Sequence, residues 1–462
     1  MAKRKTSRRV NHGQWSSTGC VVLAAAGATI GLNNFWQFPY AVGQYGGGAF
    51  LLLYLLSMAL IGLPLLMAEF MIGRMGRASP VNTFKRLIER SESDPNWLLL
   101  GSVLTFTGFL VLSYLSVIGG WVIAYGFRAA LGVFNGLTAD GIASVFADFA
   151  ADPEKQIFWH SLFLVMTMVV VARGLKAGFE PVVRNVVPAL FLLLLVLLVY
   201  AATLPGFKDA AATLFLPDWE ALSGSSVLMA MGHAFFSLAL GFGGLLMYGA
   251  FLPDDAPISK ISTTVIVLDV VAGLMGGMLV YAILFAAEQA PVSGPALVFQ
   301  ALPLALDELP YGQLVMAMFF GLLVLAAWMT AIALIEPAVA WLVESHQYTR
   351  FQSSVRVGIA VWLLGVVMIL SFNQWAFSFE FFGVRKELGI FDALQIFTSM
   401  ILLPLAGIFV ALFAGWALSR DTTGAGLNIG IKGAYDVWHW LVRVVVPILI
   451  LIVFFSIPKL FL

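Results

Sequence analysis

Asp269 lies in the run Val265–Val271, in which every other residue is apolar. A carboxylate at such a place is costly unless a cation or strong hydrogen-bond donors sit beside it. Two further stretches could complete a cation site. Gly27-Ala28-Thr29-Ile30-Gly31-Leu32-Asn33-Asn34-Phe35-Trp36-Gln37-Phe38-Pro39 sets two glycines, two adjacent asparagines and a proline inside an apolar segment. Phe235-Phe236-Ser237-Leu238-Ala239-Leu240-Gly241-Phe242-Gly243-Gly244 is a second glycine-rich interruption. Gly and Pro oppose a continuous helix, and an unwound backbone presents carbonyl oxygens. Hard oxygen ligands of this kind suit a hard cation. The sequence carries no Ser-His-Asp set, metal-binding cluster or phosphate loop, so the chemistry on offer is ion coordination and not bond cleavage.

The elements that would position these residues are membrane spans. Of 462 residues, 61% are hydrophobic and 11% charged, against roughly 45–50% and about 25% in soluble domains. Lys and Arg together number 25, as do Asp and Glu, so no basic field exists to attract nucleic acid. One cysteine, Cys20, excludes a disulfide framework. A crossing helix needs about 20 apolar residues. Eleven runs qualify, near 16–42, 47–73, 98–128, 157–174, 183–204, 222–251, 260–287, 312–343, 353–373, 391–418 and 437–461. The first is too long for a removable signal peptide and leads directly into further spans. Basic residues at the N-terminus fall on one side with Arg74, Arg77, Lys85, Arg86, Arg173, Lys176, Arg350 and Arg356. The positive-inside rule makes that side, and the N-terminus, cytoplasmic.

Spans one and six are the interrupted ones. Irregular backbone at membrane depth is tolerated where it lines a cavity or is buried in protein. Paired interruptions at matching places in two halves point to the central site of a secondary transporter. The expected organisation is a basic segment at 1–14, a first repeat at 15–205, a second at 206–420, and an added loop and span at 421–462.

These residues also carry a resemblance. Gly27 to Pro39, followed by Tyr45-Gly46-Gly47-Gly48-Ala49-Phe50, resembles the opening signature of the neurotransmitter:sodium symporters. Phe236 to Gly243 is similar to that family's unwound segment in span six, and Gly294-Pro295-Ala296-Leu297-Val298-Phe299 to its loop before span eight. The resemblance implies an all-α polytopic membrane protein with the LeuT fold: a 5+5 inverted repeat, broken helices one and six, and about eleven transmembrane helices. It further implies sodium-coupled import of a small amino acid or related zwitterion by alternating access, in the cell (inner) membrane, and no enzyme activity.

Carried over residue by residue, the resemblance implies a first sodium site from Thr29, Asn34, Ser237 and Asp269. A second would use the backbone of Gly27, Ile30 and Ala326 with Thr330. Met329, however, stands where the family has a hydroxyl or carboxylate, and a thioether is a soft, poor sodium ligand. Either one or two ions therefore remain open. Substrate contacts map to Ala28, Thr29, Leu32, Asn33, Val111, Leu115, Phe236, Ser237, Ala239, Phe242, Thr330 and Leu334. Leu115 occupies the position of a carboxylate-holding tyrosine, with Tyr114 one place earlier. Asn33 replaces a glycine; Asn tolerates unusual backbone angles, and its amide could donate to the substrate. Gly31 stands where amine carriers place an aspartate, which favours a zwitterion.

The family's outer arginine–aspartate gate reads Gln37 and Gln395 here, a neutral pair. On the inner side Trp15 keeps its position, His12 replaces the usual arginine, and Glu344 is the acidic partner. Gly273 lacks the hydroxyl of chloride-dependent members, and Asp269 could supply the negative charge instead, so chloride independence is expected. His233 replaces a glutamine near Tyr54 and Ser237, and is read as a packed histidine or a proton carrier. The alternative function is a receptor-like or weakly coupled paralogue that binds ligand without strong sodium drive. Membrane lipid is the surrounding partner, and oligomeric state is not legible.

Overall fold

The computed structural model describes residues 12–381, 383–387, 389–429 and 433–461, and side chains up to residue 456. Eight continuous helical stretches are long and apolar enough to cross a membrane, and a pair bent by 63°, Thr18–Thr29 with Asn33–Gln44, makes a ninth. One stretch, Pro153–Ala201, has 49 residues, which at ~1.5 Å per residue is about twice the bilayer's need. Gly174 (φ 74°, ψ −170°) turns the chain between Pro153–Gly174 and Glu180–Ala201, so it counts as spans four and five. The remaining span, six, consists of Gly224–Ser237 and Gly244–Ala250, each too short to cross alone. The eleven expected crossings are therefore all present as elements.

Proline shapes their interiors. Pi-helical turns at Met58–Gly62, Leu175–Phe179, Leu297–Ala301, Phe397–Leu402 and Leu441–Val445 each end two residues before a proline. The pyrrolidine ring removes one donor and crowds the carbonyl four residues back. Widening the preceding turn relieves that crowding while the helix continues. Pro39, by contrast, sits inside Asn33–Gln44, and its carbonyl accepts from the Tyr281 hydroxyl at 2.9 Å.

Span one is central: Ala24, Ala25, Ala26, Gly27, Ala28 and Thr29 are all buried, as expected for a helix enclosed by protein. Lipid-facing surface lies elsewhere, for instance at Leu192, Leu195 and Val199 of span five. Span two (Gly48–Gly76) meets the second half of span six through glycine. A Cβ on Gly73 would lie 1.9 Å from the Leu246 carbonyl, and one on Gly249 2.6 Å from that of Phe70.

Among the described residues, two departures from a purely helical reading occur. Phe379–Phe381 pairs antiparallel with Val384–Lys386 between spans nine and ten, and Gly47 bridges Pro217. Short strands in a loop carry no signal against the strong helical pattern around them.

Replacing Gly73 by Ala should destabilise the protein by about 1–3 kcal/mol, because backbone cannot yield as a side chain can. Gly232→Ala should be tolerated, since its Cβ would meet nothing nearer than Val453 at 3.7 Å. Thermal unfolding of the two purified variants in detergent checks the contrast.

Candidate functional site: a buried carboxylate between two broken helices

Span one stops at Thr29 and resumes at Asn33. Asn34 explains the restart: its Oδ1 accepts from the Gly31 N–H at 3.1 Å, capping the new helix from inside its first turn. The interruption is thus Ile30–Leu32, and Asn33 and Asn34 are helical. Span six breaks between Ser237 and Gly244, with Ala239 (φ 49°), Gly241 (φ 82°) and Gly243 (φ 76°) in left-handed conformation. The backbone strain expected at Asn33 falls on Ala239 instead, where a non-glycine residue in this region costs about 1–2 kcal/mol.

Asp269 from span seven (Ile258–Ala286) bridges the two breaks. It is fully buried. Ser237 Oγ donates to its Oδ2 at 2.6 Å, and Asn34 Nδ2 donates to its Oδ1 at 3.2 Å and its carbonyl at 3.3 Å. Among the described residues no cationic side chain pairs with it. Thr29, also buried, turns its hydroxyl onto the Ala26 carbonyl at 3.1 Å. The four residues of the expected first site are therefore juxtaposed, and the acid among them has only neutral partners. A hard monovalent cation fits that donor set.

The second set is different. Thr330 of span eight reaches span one, but a Cβ on Gly27 would lie 2.9 Å from Met329 Cε. The fully buried Met329 therefore packs its methyl group against the helix-one backbone. The Thr330 hydroxyl lies 3.2 Å from the Ala28 carbonyl and 3.3 Å from that of Ala326, and donates toward both. Spans one and eight (Gly312–His346) are thus joined by direct packing and a hydroxyl.

Beside the breaks lies a narrow cavity of about 10 Å³, room for about one water, lined by Ala28, Ala239, Phe242, Gly244, Leu245, Thr330, Ala333 and Leu334. Five of these were expected; Gly244, Leu245 and Ala333 were not. Span three (Leu98–Ala130) closes on this region at Gly108, where a Cβ would lie 2.8 Å from the carbonyls of Phe242 and Leu334. Val111 and Leu115 follow on about the same helical face. Tyr114 is turned roughly 100° away, against Phe391 (ring centroids 5.9 Å) and Thr398 (3.4 Å). Asn33 holds the Trp36 indole N–H on its Oδ1 at 3.0 Å, which leaves its amide nitrogen as a donor. Leu32 is buried between the halves of span one, and Phe236 packs on Phe235.

The model of the sodium:neurotransmitter symporter family matches residues 12–133 and 154–460. The chain belongs to the sodium:neurotransmitter symporter family. It is 32% identical over 447 residues to an uncharacterised sodium-dependent transporter of Bacillus subtilis (strain 168), covering 96% of this chain and 97% of that one. A similar relative in Haemophilus influenzae is 30% identical over 96% and 97% of the two chains. The crystal structure of MhsT in complex with L-phenylalanine superposes with a TM-score of 0.85 at 36% identity, over 96% of this chain and 99% of that one. The protein is thus a polytopic sodium-dependent transporter of LeuT-like fold, and not an enzyme.

The N-terminal segment is seated on spans five, six and eight. Trp15 is buried; its indole donates to the Tyr248 carbonyl at 3.2 Å and its backbone N–H to Phe251 at 3.0 Å. Ser16 donates from backbone and hydroxyl to Glu180 at 2.7 and 2.6 Å. His12 Nε2 lies 2.6 Å from Glu344 Oε1. At the other side Gln37 and Gln395 are both exposed, and no hydrogen bond joins them. An amide pair lacks the charge attraction that would hold it closed. His233 stacks on Phe38 (5.4 Å, 25°) and lies beside Tyr54 (5.4 Å). The same Phe38 ring fills the space at Gly273, 3.2 Å from where a Cβ would stand.

Glu69 was not foreseen. It is fully buried on span two, and the Gly241 N–H in the span-six break donates to its Oε1 at 2.7 Å. The signal was present, because Glu69 interrupts an apolar run just as Asp269 does. Glu336, buried in span eight and ion-paired with Arg350, carries the same signal. Glu69→Gln keeps an acceptor for Gly241, whereas Glu69→Ala leaves that N–H unpaired at a cost of about 1–3 kcal/mol. Detergent-solubilised Glu69→Ala should therefore unfold at lower temperature than Glu69→Gln; equal melting would refute the capping role.

Proposed function

We propose that this transporter imports a neutral, zwitterionic amino acid by alternating access, coupled to one sodium ion held by Thr29, Asn34, Ser237 and Asp269. The observation that carries the reading is Asp269, buried between two helix breaks with Ser237 and Asn34 on its oxygens and no cationic partner among the described residues. A cargo carboxylate would add its charge beside the ion. The apolar cavity bounded by Ala28, Ala239, Phe242 and Leu334 would have to widen to take the side chain. The phenylalanine bound by MhsT is cargo of that kind. Spans one and six would rock against spans three and eight, with the N-terminus cytoplasmic in a bacterial inner membrane.

Met329 supports single-ion stoichiometry, because its methyl occupies the space beside Gly27 that a second cation's ligand would need. Gly273 supports chloride independence, because Phe38 fills the place where a hydroxyl would reach an anion. The receptor-like alternative draws on the same Met329: with helix eight joined directly to helix one, ligand binding need not draw on a second ion.

In proteoliposomes with an inward sodium gradient, L-phenylalanine or another neutral amino acid should accumulate, unchanged in gluconate medium. Asp269→Ala should reduce uptake at least about tenfold, equivalent to ~1.4 kcal/mol. Binding without accumulation would favour the receptor reading. The sodium Hill coefficient should be near one and rise toward two in Met329→Ser; a wild-type value of two would overturn the single-ion assignment.

A further inference from the structure

The inner pair differs chemically from the family arrangement that it resembles: its cationic member is an imidazole. His12 and Glu344 side chains are 7% and 5% exposed, 2.6 Å apart. Glu344 also accepts from the Ser79 N–H (2.8 Å), Ser79 Oγ (2.6 Å) and Asn82 Nδ2 (2.6 Å). Those three donors follow span two, so His12 is the one tie among them from the N-terminal segment. The other charges around His12 are engaged. Glu336, within its electrostatic reach on the same helix as Glu344, is paired with Arg350. Asp254, in the loop after span six, is paired with Arg77. Span six presents the Phe251 ring at 6.1 Å and the neutral Tyr248. Arg8 and Arg9 lie outside the described residues.

We propose that His12 and Glu344 form a proton-operated latch on the N-terminal end of the transport path. An arginine keeps its charge at every physiological pH, whereas imidazole ordinarily changes charge between about pH 5 and 8. Protonated His12 gives Glu344 a charge-assisted hydrogen bond, roughly twice as strong as a neutral one. The protonated form of the latch therefore holds more tightly than the neutral one. The neutral ring still donates, so the latch weakens and does not vanish. Release would be felt along the segment that follows: Trp15 and Ser16 are seated on span six and on Glu180, and Cys20, 3% exposed, comes next on span one. The consequence for transport rests on the alternating-access reading above; the opening itself does not, and it is measured without cargo.

Cys20 is the chain's single cysteine, so its alkylation by a small maleimide reports opening directly. Labelling rates of the full-length protein, sodium-free and monodisperse, are compared with those of His12→Arg at each pH from 5.5 to 8.5, which cancels the thiol's own titration. The ratio of wild type to His12→Arg should lie near one at pH 5.5 and rise about fivefold by pH 8.5, the order expected when one charge contribution is lost. His12→Gln, uncharged throughout, should show a raised ratio with no trend. A flat wild-type ratio, a trend that persists in His12→Gln, or a Cys20 that stays unreactive in wild type at pH 8.5 would each overturn the latch. Failure of amino-acid uptake with a rising ratio would instead reject the cargo assignment and leave the latch standing.

Discussion

A helix interrupted within a bilayer exposes peptide groups that lipid cannot hydrogen-bond, and this constraint governs the molecule's centre. The chain answers it with side chains from elsewhere. Asn34 caps the amide of Gly31, and Glu69 from span two receives that of Gly241. Asp269 from span seven ties Asn34 of one break to Ser237 of the other. Because Asp269 bonds to both breaks, the two interruptions are tied to each other. The site is therefore a property of four spans meeting.

The same interactions account for the transport-competent chemistry. Buried carboxylates are normally held by a basic partner or by neutralisation. At Glu336 the partner is Arg350; at Asp269 the described neighbours are neutral donors, which leaves attraction to spare for a mobile ion. Between spans one and eight Met329 packs against Gly27 instead.

Close approach of backbones makes this geometry possible. Gly73 and Gly249 let span two lie against the second half of span six, which aims Glu69, one turn before Gly73, at the break. Gly108 brings span three onto the carbonyls of Phe242 and Leu334 and so sets the cavity's size. Pi-helical turns before the prolines keep long spans continuous through residues that would otherwise end them.

Composition and hydropathy alone determined that the chain is a polytopic helical membrane protein, since so much apolar surface has no other solvent. Glycine, asparagine and proline types located both breaks to within a few residues, because backbone preference is local. Asp269 was legible by the cost of its position, and by the same rule Glu69 and Glu336 should have been. Contacts between spans were beyond local reasoning: that Glu69 reaches the Gly241 amide, that Tyr114 meets Phe391 and Thr398, and that Met329 fills the space beside Gly27. Each depends on which face a helix turns toward a partner distant in the chain, and only tertiary packing fixes that rotation.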